Sequence, residues 1–238
     1  MMPGDVIMIV GAGRGIGRAA AALFADARCD LVLASRNETE LAELSFKIER
    51  KNSIDALAVT ADVTNSADVI RLVAEAVERF GRIDTLVYTA GTGALKTFAE
   101  TSEEEFQRLV DVNVGGAFRV LKSVLPVMEK QKAGRVVVLP GILGRAAMSQ
   151  AAAYCASKFA LTGLVKALAL EYKRAGVRFS LLHLGGVNTS FWDSITMRVQ
   201  REKMLTVEAA ARAVFFAATQ EGDGVLGELV LQPESHQL

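Results

Sequence analysis

Short apolar runs alternate along this chain with longer stretches whose apolar positions recur every three to four residues. The short runs are apolar at consecutive positions, as strands buried on both faces of a parallel sheet are. The pattern predicts the following strands: Val6–Val10, Asp30–Ala34, Ala56–Thr60, Thr85–Tyr88, Arg135–Leu139, Val177–His183 and Leu226–Leu231.

The longer stretches have the periodicity of amphipathic helices, and several of them end at a glycine that precedes the next strand. Strands that alternate with helices predict a single Rossmann-like α/β domain over residues 1–238. We expect a doubly wound, seven-stranded parallel sheet with helices on both faces. The predicted helices are Gly15–Ala27, Glu38–Lys51, Ser66–Phe80, Ser102–Lys130, Ala151–Ala175 and Val207–Thr219.

The composition argues against several classes of function. The chain has 238 residues with 27 basic and 27 acidic side chains, so its net charge attracts neither nucleic acid nor an anionic membrane. No apolar run reaches the roughly 18–20 residues of a membrane span. Cys29 and Cys155 form no disulfide framework, and His183 and His236 lack the spacing of zinc ligands. We therefore expect a cytoplasmic protein in a reducing compartment.

A glycine-rich turn links the first predicted strand to the first predicted helix. Its glycines permit a tight turn and a close approach of the backbone to a ligand, and the start of the helix offers free N–H groups to a pyrophosphate. Surface turns also contain such glycines, but the position between a strand and a helix favours a nucleotide site. The residues concerned are Gly11, Gly13, Arg14, Gly15, Ile16 and Gly17.

Tyr154 and Lys158 stand four residues apart in a predicted helix and therefore lie on one face of it. An ammonium beside a phenol favours the phenolate, which brings the pKa of the phenol from about 10 toward neutrality. Such a pair can act as a general acid or base. By itself the spacing is more often that of a packed ring and a solvated amine, so the rest of the chain decides between these interpretations.

The glycine pattern and the Tyr154–Lys158 pair together resemble the short-chain dehydrogenase/reductase family. The other motifs that match are the adenine contact at Asp62 and Val63, the Asn-Ala-Gly motif at Thr89, Ala90 and Gly91, the catalytic asparagine at Asn113, and the segment Gly185–Thr189 after the sixth strand. Threonine replaces the asparagine at Thr89, which we expect to weaken the anchoring between strands. Taken singly, Asp62 also fits a helix cap, Asn113 a local kink and Thr189 a turn hydroxyl.

The resemblance implies a proton-transfer mechanism. In this family the tyrosine exchanges a proton with the substrate oxygen, which gives that role to Tyr154. Lys158 would lower the pKa of the tyrosine and bind the nicotinamide ribose, and Asn113 would hold a water of the proton relay. The family also has a serine thirteen residues before the tyrosine, which polarises the substrate carbonyl. Here that position is Gly141, and Pro140 precedes it.

Glycine at position 141 removes a hydrogen-bond donor to the developing alkoxide. Loss of one such donor in other enzymes lowers turnover by about 10²–10³-fold. A hydroxyl of Ser149 or Thr92, or a bound water, is an alternative donor. The sequence thus leaves two classes of function. One is an oxidoreductase that interconverts a carbonyl and an alcohol, weakened or specialised by Gly141; the other is a cofactor-binding sensor or partner subunit with little catalysis.

The end of the second predicted strand favours NADP(H) over NAD(H). NAD-dependent members of the family usually have a carboxylate there, which holds the ribose hydroxyls. This chain has Ser35 and Arg36, and we expect no carboxylate that would repel a 2′-phosphate. Arg36 and Arg14 can bind that phosphate, unless both are simply solvated. The cofactor residues that the resemblance adds to the glycine turn are Ser35, Arg36, Asp62, Val63, Ala90, Gly91, Tyr154, Lys158, Val187 and Thr189.

The expected substrate is a small carbonyl compound or alcohol. Apolar residues between Ser190 and Met204, among them Phe191 and Trp192, fit a lid over a hydrophobic substrate, or equally well a surface packed against the sheet or another subunit. The resemblance also implies a homodimer or homotetramer, formed through the long helices that carry Asn113 and the tyrosine.

Overall fold

The computed structural model describes residues 3–235, so His236 lies outside the described part of the chain. Its strands form one sheet in the order β3-β2-β1-β4-β5-β6-β7, and every neighbouring pair is parallel. This confirms the predicted doubly wound fold. The strands are β1 (Val6–Val10), β2 (Asp30–Ser35), β3 (Ala56–Thr60), β4 (Thr85–Tyr88), β5 (Gly134–Val138), β6 (Val177–Leu184) and β7 (Glu228–Leu231).

Helices connect the strands and cover both faces of the sheet, because successive residues of a central strand point to opposite faces. In β1, Met8 belongs to one apolar core while Ile7 and Ile9 belong to the other. The helices are α1 (Gly15–Asp26), α2 (Glu38–Asn52), α3 (Ser66–Phe80), α4 (Glu103–Val110), α5 (Gly116–Gln131), α6 (Ala152–Glu171) and α7 (Val207–Ala218). Helices α1, α2 and α7 enclose the core of Ile7, and α3, α5 and α6 enclose that of Met8.

The helix predicted over Ser102–Lys130 is present from Glu103 to Gln131, but it is not one regular α-helix. Helix α4 ends at Val110, and a π turn over Asp111–Gly115 precedes α5. The buried amide of Asn113, which bonds to groups outside its own helix, lies in this turn. A π turn widens the helix by one residue and commonly occurs at functional positions.

The other differences concern the ends of elements. The predicted helix Ala151–Ala175 ends at Glu171 and continues as a 3₁₀ turn over Lys173–Ala175, before Gly176 with its positive φ of 75°. The last strand begins at Glu228 rather than at Leu226.

Helix α6 is long and apolar enough to cross a membrane by length and composition alone, although Lys158 and Lys166 interrupt its apolar run. Leu161 and Val165 of this helix are buried against the sheet, and Lys158 within it is buried as well. Its apolar side therefore fits a helix of the core.

Candidate active site

A cavity of about 540 Å³ lies at the carboxyl ends of β1, β4, β5 and β6. The strand order reverses between β1 and β4, and open α/β sheets bind their ligands at such a switch point. Every cofactor-binding residue predicted from the sequence lines this cavity, and so does Gly141. Asn113 does not line it.

The glycine turn packs closely beneath α1. A Cβ at Gly17 would overlap the carbonyl oxygen of Gly11, so only glycine fits there. Arg14, the residue before α1, makes no side-chain cap, which leaves the first N–H groups of this twelve-residue helix open toward the cavity. This wall of the cavity can accept the phosphates of a dinucleotide.

Thr89 supplies the anchoring whose weakening was expected from its replacement of asparagine. Its hydroxyl lies 3.0 Å from the carbonyl oxygen of Val10 and 3.2 Å from that of Gly11, within donating reach of both. The end of β4 is therefore tied to β1 and to the glycine turn, although the Thr89 hydroxyl has a single hydrogen to donate. A short hydroxyl reaches these oxygens because the two strands are neighbours.

The part of the cavity at the end of β2 has both cationic and anionic side chains. Arg14 and Arg36 line it and are exposed, as an arginine that binds phosphate has to be. However, the carboxylate of Glu40 also reaches this wall: a Cβ at Gly13 would lie 2.7 Å from Glu40 Oε2 and 2.8 Å from Ser35 Oγ. The expectation that no carboxylate lies here is wrong, because the first turn of α2 brings Glu40 back to the glycine turn.

Asp62 makes a local turn as well as lining the cavity. Its Oδ1 accepts hydrogen bonds from the backbone N–H of Thr64 at 2.9 Å and from the Thr64 hydroxyl at 2.7 Å. These bonds, with smaller contributions from the charges of Arg36 and Arg119, hold the pKa of Asp62 below its ordinary value. The carboxylate is therefore ionised and fixed, and Val63 beside it is buried.

Tyr154 and Lys158 meet near the start of α6, as their spacing predicts. The ammonium nitrogen of Lys158 lies 5.4 Å from the centroid of the Tyr154 ring. Burial raises the pKa of Tyr154 and lowers the pKa of Lys158 to about 8. The expected lowering of the tyrosine pKa by the lysine is thus not found in the protein alone, because desolvation of both groups disfavours their charged forms.

Asn113 lies outside the cavity and connects the cavity wall to α6. Its Oδ1 accepts from the backbone N–H of Thr92 at 2.8 Å, and its Nδ2 donates to the Thr92 carbonyl and to Ser157 Oγ, both at 2.9 Å. The side chain is completely buried. Ser157 was not singled out in the sequence, although it lies three residues after Tyr154 on the same helix.

The turn after β5 has an unusual backbone. Gly141 adopts φ 75° and ψ 176°, a conformation that L-residues rarely take. A Cβ at this position would have one near neighbour, the Leu184 carbonyl oxygen at 3.6 Å. Glycine is required here by the backbone, therefore, and not by lack of space.

Of the two hydroxyls considered as substitutes for the serine, only that of Thr92 lies in a residue that lines the cavity; it accepts a hydrogen bond from Arg108 at 3.0 Å. Ser149 is exposed and lies outside the cavity.

Aromatic rings close the end of the cavity next to Tyr154. The rings of Phe191 and Trp192 lie edge to face at 5.2 Å, and Phe191 lies 5.9 Å from the ring of Tyr154. A Cβ at Gly93 would overlap the Phe191 ring, so the ring extends across the cavity to the turn after β4. The segment after β6 thus forms an apolar lid next to Tyr154, one of the two arrangements expected from its sequence.

Comparison with known proteins gives a consistent result. A sequence profile for short chain dehydrogenases matches residues 5–200. The chain is 32% identical over 237 residues to a sepiapterin reductase of Chlorobaculum tepidum, covering 97% of this chain and 96% of the relative. It is 35% identical to oxidoreductase UcpA of Salmonella typhimurium over 241 residues, covering all of this chain and 91% of the relative.

Solved structures show the same fold with cofactors bound. An alcohol dehydrogenase from the archaeon Thermococcus sibiricus, complexed with 5-hydroxy-NADP, has a TM-score of 0.90 at 29% identity over 98% of both chains. A metagenomic short-chain oxidoreductase in complex with NADP has a TM-score of 0.84 at 26% identity, again over 98% of both chains. With its cavity, its motifs and these relatives, the chain belongs to the short-chain dehydrogenase/reductase family.

Proposed function

We propose that this protein is an NADP(H)-dependent oxidoreductase that interconverts a carbonyl group and an alcohol, with Tyr154 as the general acid or base. The observation that carries the proposal is the placement of Tyr154 and Lys158 in the same cavity as the glycine turn and the start of α1. A proton donor and a phosphate-binding wall in one cavity fit a dehydrogenase.

The residues that line the cavity fit a dinucleotide along its whole length. The N–H groups at the start of α1 would hold the pyrophosphate, and Asp62 and Val63 would contact the adenine. Lys158 has 6% of its surface exposed, and its ammonium, which has no hydrogen bond to any described residue, is free to donate to the nicotinamide ribose. Bound NADPH supplies the hydride; Tyr154 donates its proton to the substrate oxygen.

The proposed roles of the two protonatable groups follow from burial. The raised pKa of Tyr154 keeps its proton in place at neutral pH, as a general acid in carbonyl reduction requires. An ammonium that also binds the ribose would favour loss of that proton during the reaction. Asn113 would fix the position of the turn after β4 relative to helix α6, through its hydrogen bonds to Thr92 and Ser157.

The preference for NADP(H) over NAD(H) is proposed on charge. Arg14 and Arg36 both line the ribose end of the cavity, and two similar proteins are described as complexes with NADP or 5-hydroxy-NADP. Glu40 opposes this preference, since its carboxylate would repel a 2′-phosphate or hold a ribose hydroxyl. Two cations against one anion favour the phosphate.

A hydrophobic ketone or aldehyde is the proposed substrate class, because the lid presents Phe191 and Trp192.

We also propose that the protein is a cytoplasmic homodimer or homotetramer in which each chain forms one domain. The large apolar side chains that α4, α5 and α6 leave exposed support an interface there: Phe106, Phe118, Phe159 and Leu170. Light scattering of the wild type and of Phe118→Glu tests the assembly, which the charge should weaken.

The alternative, a cofactor-binding protein with little catalysis, is favoured by Gly141 alone. NADPH oxidation by the wild type and by Tyr154→Phe, measured over a panel of aldehydes and ketones, separates the two functions. We expect turnover in the wild type and a loss of about 10²–10⁴-fold in the variant, with NADPH affinity retained. Tight NADPH binding without turnover of any panel member would favour the sensor and refute the enzyme.

A further inference from the structure

The backbone at Gly141 turns both of its polar groups toward β6. Its N–H donates to the Leu182 carbonyl at 3.3 Å, and its carbonyl oxygen lies 3.1 Å from Nδ1 of His183. The same oxygen accepts from the N–H of Gly144 at 3.1 Å. These bonds fix the plane of the peptide between Gly141 and Ile142, and the positive φ of Gly141 is what allows this orientation.

His183 is the buried group behind this carbonyl, with no exposed surface. A carbonyl oxygen can only accept, so Nδ1 of the imidazole has to carry a hydrogen. On the other side, Nε2 lies 3.3 Å from Glu228 Oε2, close enough for electrostatic attraction but not aligned as a hydrogen bond. Glu228 is in turn held by Lys166, whose Nζ lies 2.5 Å from Oε1. The imidazole is thus held between a carboxylate and the Gly141 carbonyl.

The N–H of Ile142 points the opposite way. Within the described residues every peptide bond is trans, and in a trans peptide the N–H and the preceding C=O point in opposite directions. Since the Gly141 carbonyl faces His183 on β6, the Ile142 N–H is directed away from that strand. Ile142 lines the cavity together with Tyr154, and its N–H has no hydrogen-bond partner among residues 3–235.

At the cavity wall this N–H is open to a ligand, as the first N–H groups of α1 are, because it has no protein partner. A second group in the same wall also lacks one: the Lys158 side chain is more than nine-tenths buried, and its one described interaction is with the Tyr154 ring. Two donors without acceptors in the cavity that contains Tyr154 indicate a ligand that supplies oxygen atoms.

We propose that the main-chain N–H of Ile142 replaces the missing serine hydroxyl as the second hydrogen-bond donor to the substrate oxygen, and that His183 is a positioning residue that aims it. The inference rests on the proposed function, and it identifies the hydrogen-bond donor that takes the place of the absent serine in that function. During reduction the oxygen receives the proton of Tyr154, while the Ile142 N–H keeps its proton and stabilises the developing charge. Backbone N–H groups do this in oxyanion holes.

Proline at position 142 tests the donor directly, because it removes the N–H and replaces the side chain by an apolar ring of about the size of valine. Ile142 is the first residue of a 3₁₀ turn, where proline fits the backbone. Ile142→Val is the matched control, since it keeps the N–H and a branched side chain. We expect kcat to fall about 10²–10³-fold in Ile142→Pro relative to Ile142→Val, with similar NADPH affinity and melting temperature. Equal kcat values in the two folded variants overturn the proposal.

A pair of variants at His183 provides the test if Ile142→Pro does not fold. His183→Leu removes the donor to Gly141, and His183→Asn restores an N–H near the position of Nδ1. We expect a lower kcat with unchanged KM for NADPH in His183→Leu, and partial recovery in His183→Asn. Wild-type kcat in His183→Leu contradicts the positioning role.

The failure of this inference differs from the failure of the proposed function. If the wild type reduces no carbonyl compound, both fail. If the wild type, Ile142→Val and Ile142→Pro all turn over at the same rate, the enzyme stands and only the Ile142 donor is refuted.

Discussion

Two turns at the carboxyl edge of the sheet contain a required glycine, and the physical reason for the requirement differs between them. After β1, Gly17 is required because a Cβ would overlap the carbonyl oxygen of Gly11. After β5, Gly141 has space around it, and its nearest neighbour for a Cβ is 3.6 Å away. What demands glycine there is the φ of 75°.

The difference shows which substitutions are informative. A residue larger than glycine at the first turn meets fixed backbone atoms, so it acts on packing and on the phosphate site together. A larger residue at the second turn acts through the backbone and re-aims the Gly141–Ile142 peptide. The first turn follows the family pattern, whereas the second departs from it in the side chain at position 141.

Of the variants that compare the two glycine turns, Gly17→Ala has the largest expected effect. The added methyl group forces the glycine turn away from α1, so NADPH affinity should fall by at least about 100-fold. Fluorescence titration with NADPH measures this loss. Gly163→Ala, in the same protein but at an open position on α6, is the control and should bind NADPH normally.

If Gly17→Ala bound NADPH with the affinity of the wild type, the steric explanation of the first turn would be wrong. The two glycine turns would then no longer differ in the way that the structure indicates.

The lowered pKa of Lys158 makes stability depend on pH. Its pKa is about 8 in the folded protein and 10.5 when the chain unfolds, so above pH 8 the unfolded state binds more protons. Stability from this group therefore rises with pH. We expect the difference in unfolding free energy between the wild type and Lys158→Met to increase by about 2 kcal/mol from pH 7 to 9.5.

Chemical denaturation of both proteins at several pH values checks this prediction. Comparison with Lys158→Met cancels the opposite contribution of Cys29, whose pKa burial raises to about 11. A difference that stays constant or falls with pH would contradict the burial of an ammonium beside Tyr154.

Arg36→Ala tests the cofactor preference at the end of β2, next to the first turn. Removal of one of the two cations should weaken NADPH binding roughly tenfold and leave NADH binding unchanged. Glu40→Gln is the complementary variant and should strengthen NADPH binding, because it removes the carboxylate beside Gly13. Equal losses for the two cofactors in Arg36→Ala would exclude a contact between Arg36 and the 2′-phosphate.

The smallest expected effect is the stabilisation of Gly163→Ala. Gly163 lies in the interior of α6 and is exposed, and beyond the backbone of its own helix no atom lies within 4 Å of the place that an added methyl group would take. Alanine there should raise the free energy of unfolding by about 0.5–1 kcal/mol. A denaturation curve measures it, and a destabilised variant would show that this face of α6 is not open.

The sequence predicts the sheet, both helical layers and the lining of the cavity, because strand periodicity and the spacing of the motifs are local properties. It gives a local kink at Asn113 only as one alternative, because the π turn there depends on Thr92 and Ser157 from other elements. It also misses Glu40, whose approach to Gly13 requires the packing of α2 beside α1 and β2. Above all, the backbone at Gly141 is set by His183 and Leu182 of β6, more than forty residues away in the chain.

The turnover of Gly141→Ser tests the central claim most directly. A serine at this position restores the side chain of the family, but it is strained at φ 75° and displaces the peptide that aims the Ile142 N–H. With saturating NADPH and the best carbonyl substrate of the panel, we expect kcat to fall at least about tenfold while NADPH affinity is retained. A kcat equal to or above that of the wild type would contradict the claim and show that the glycine had only deleted a donor.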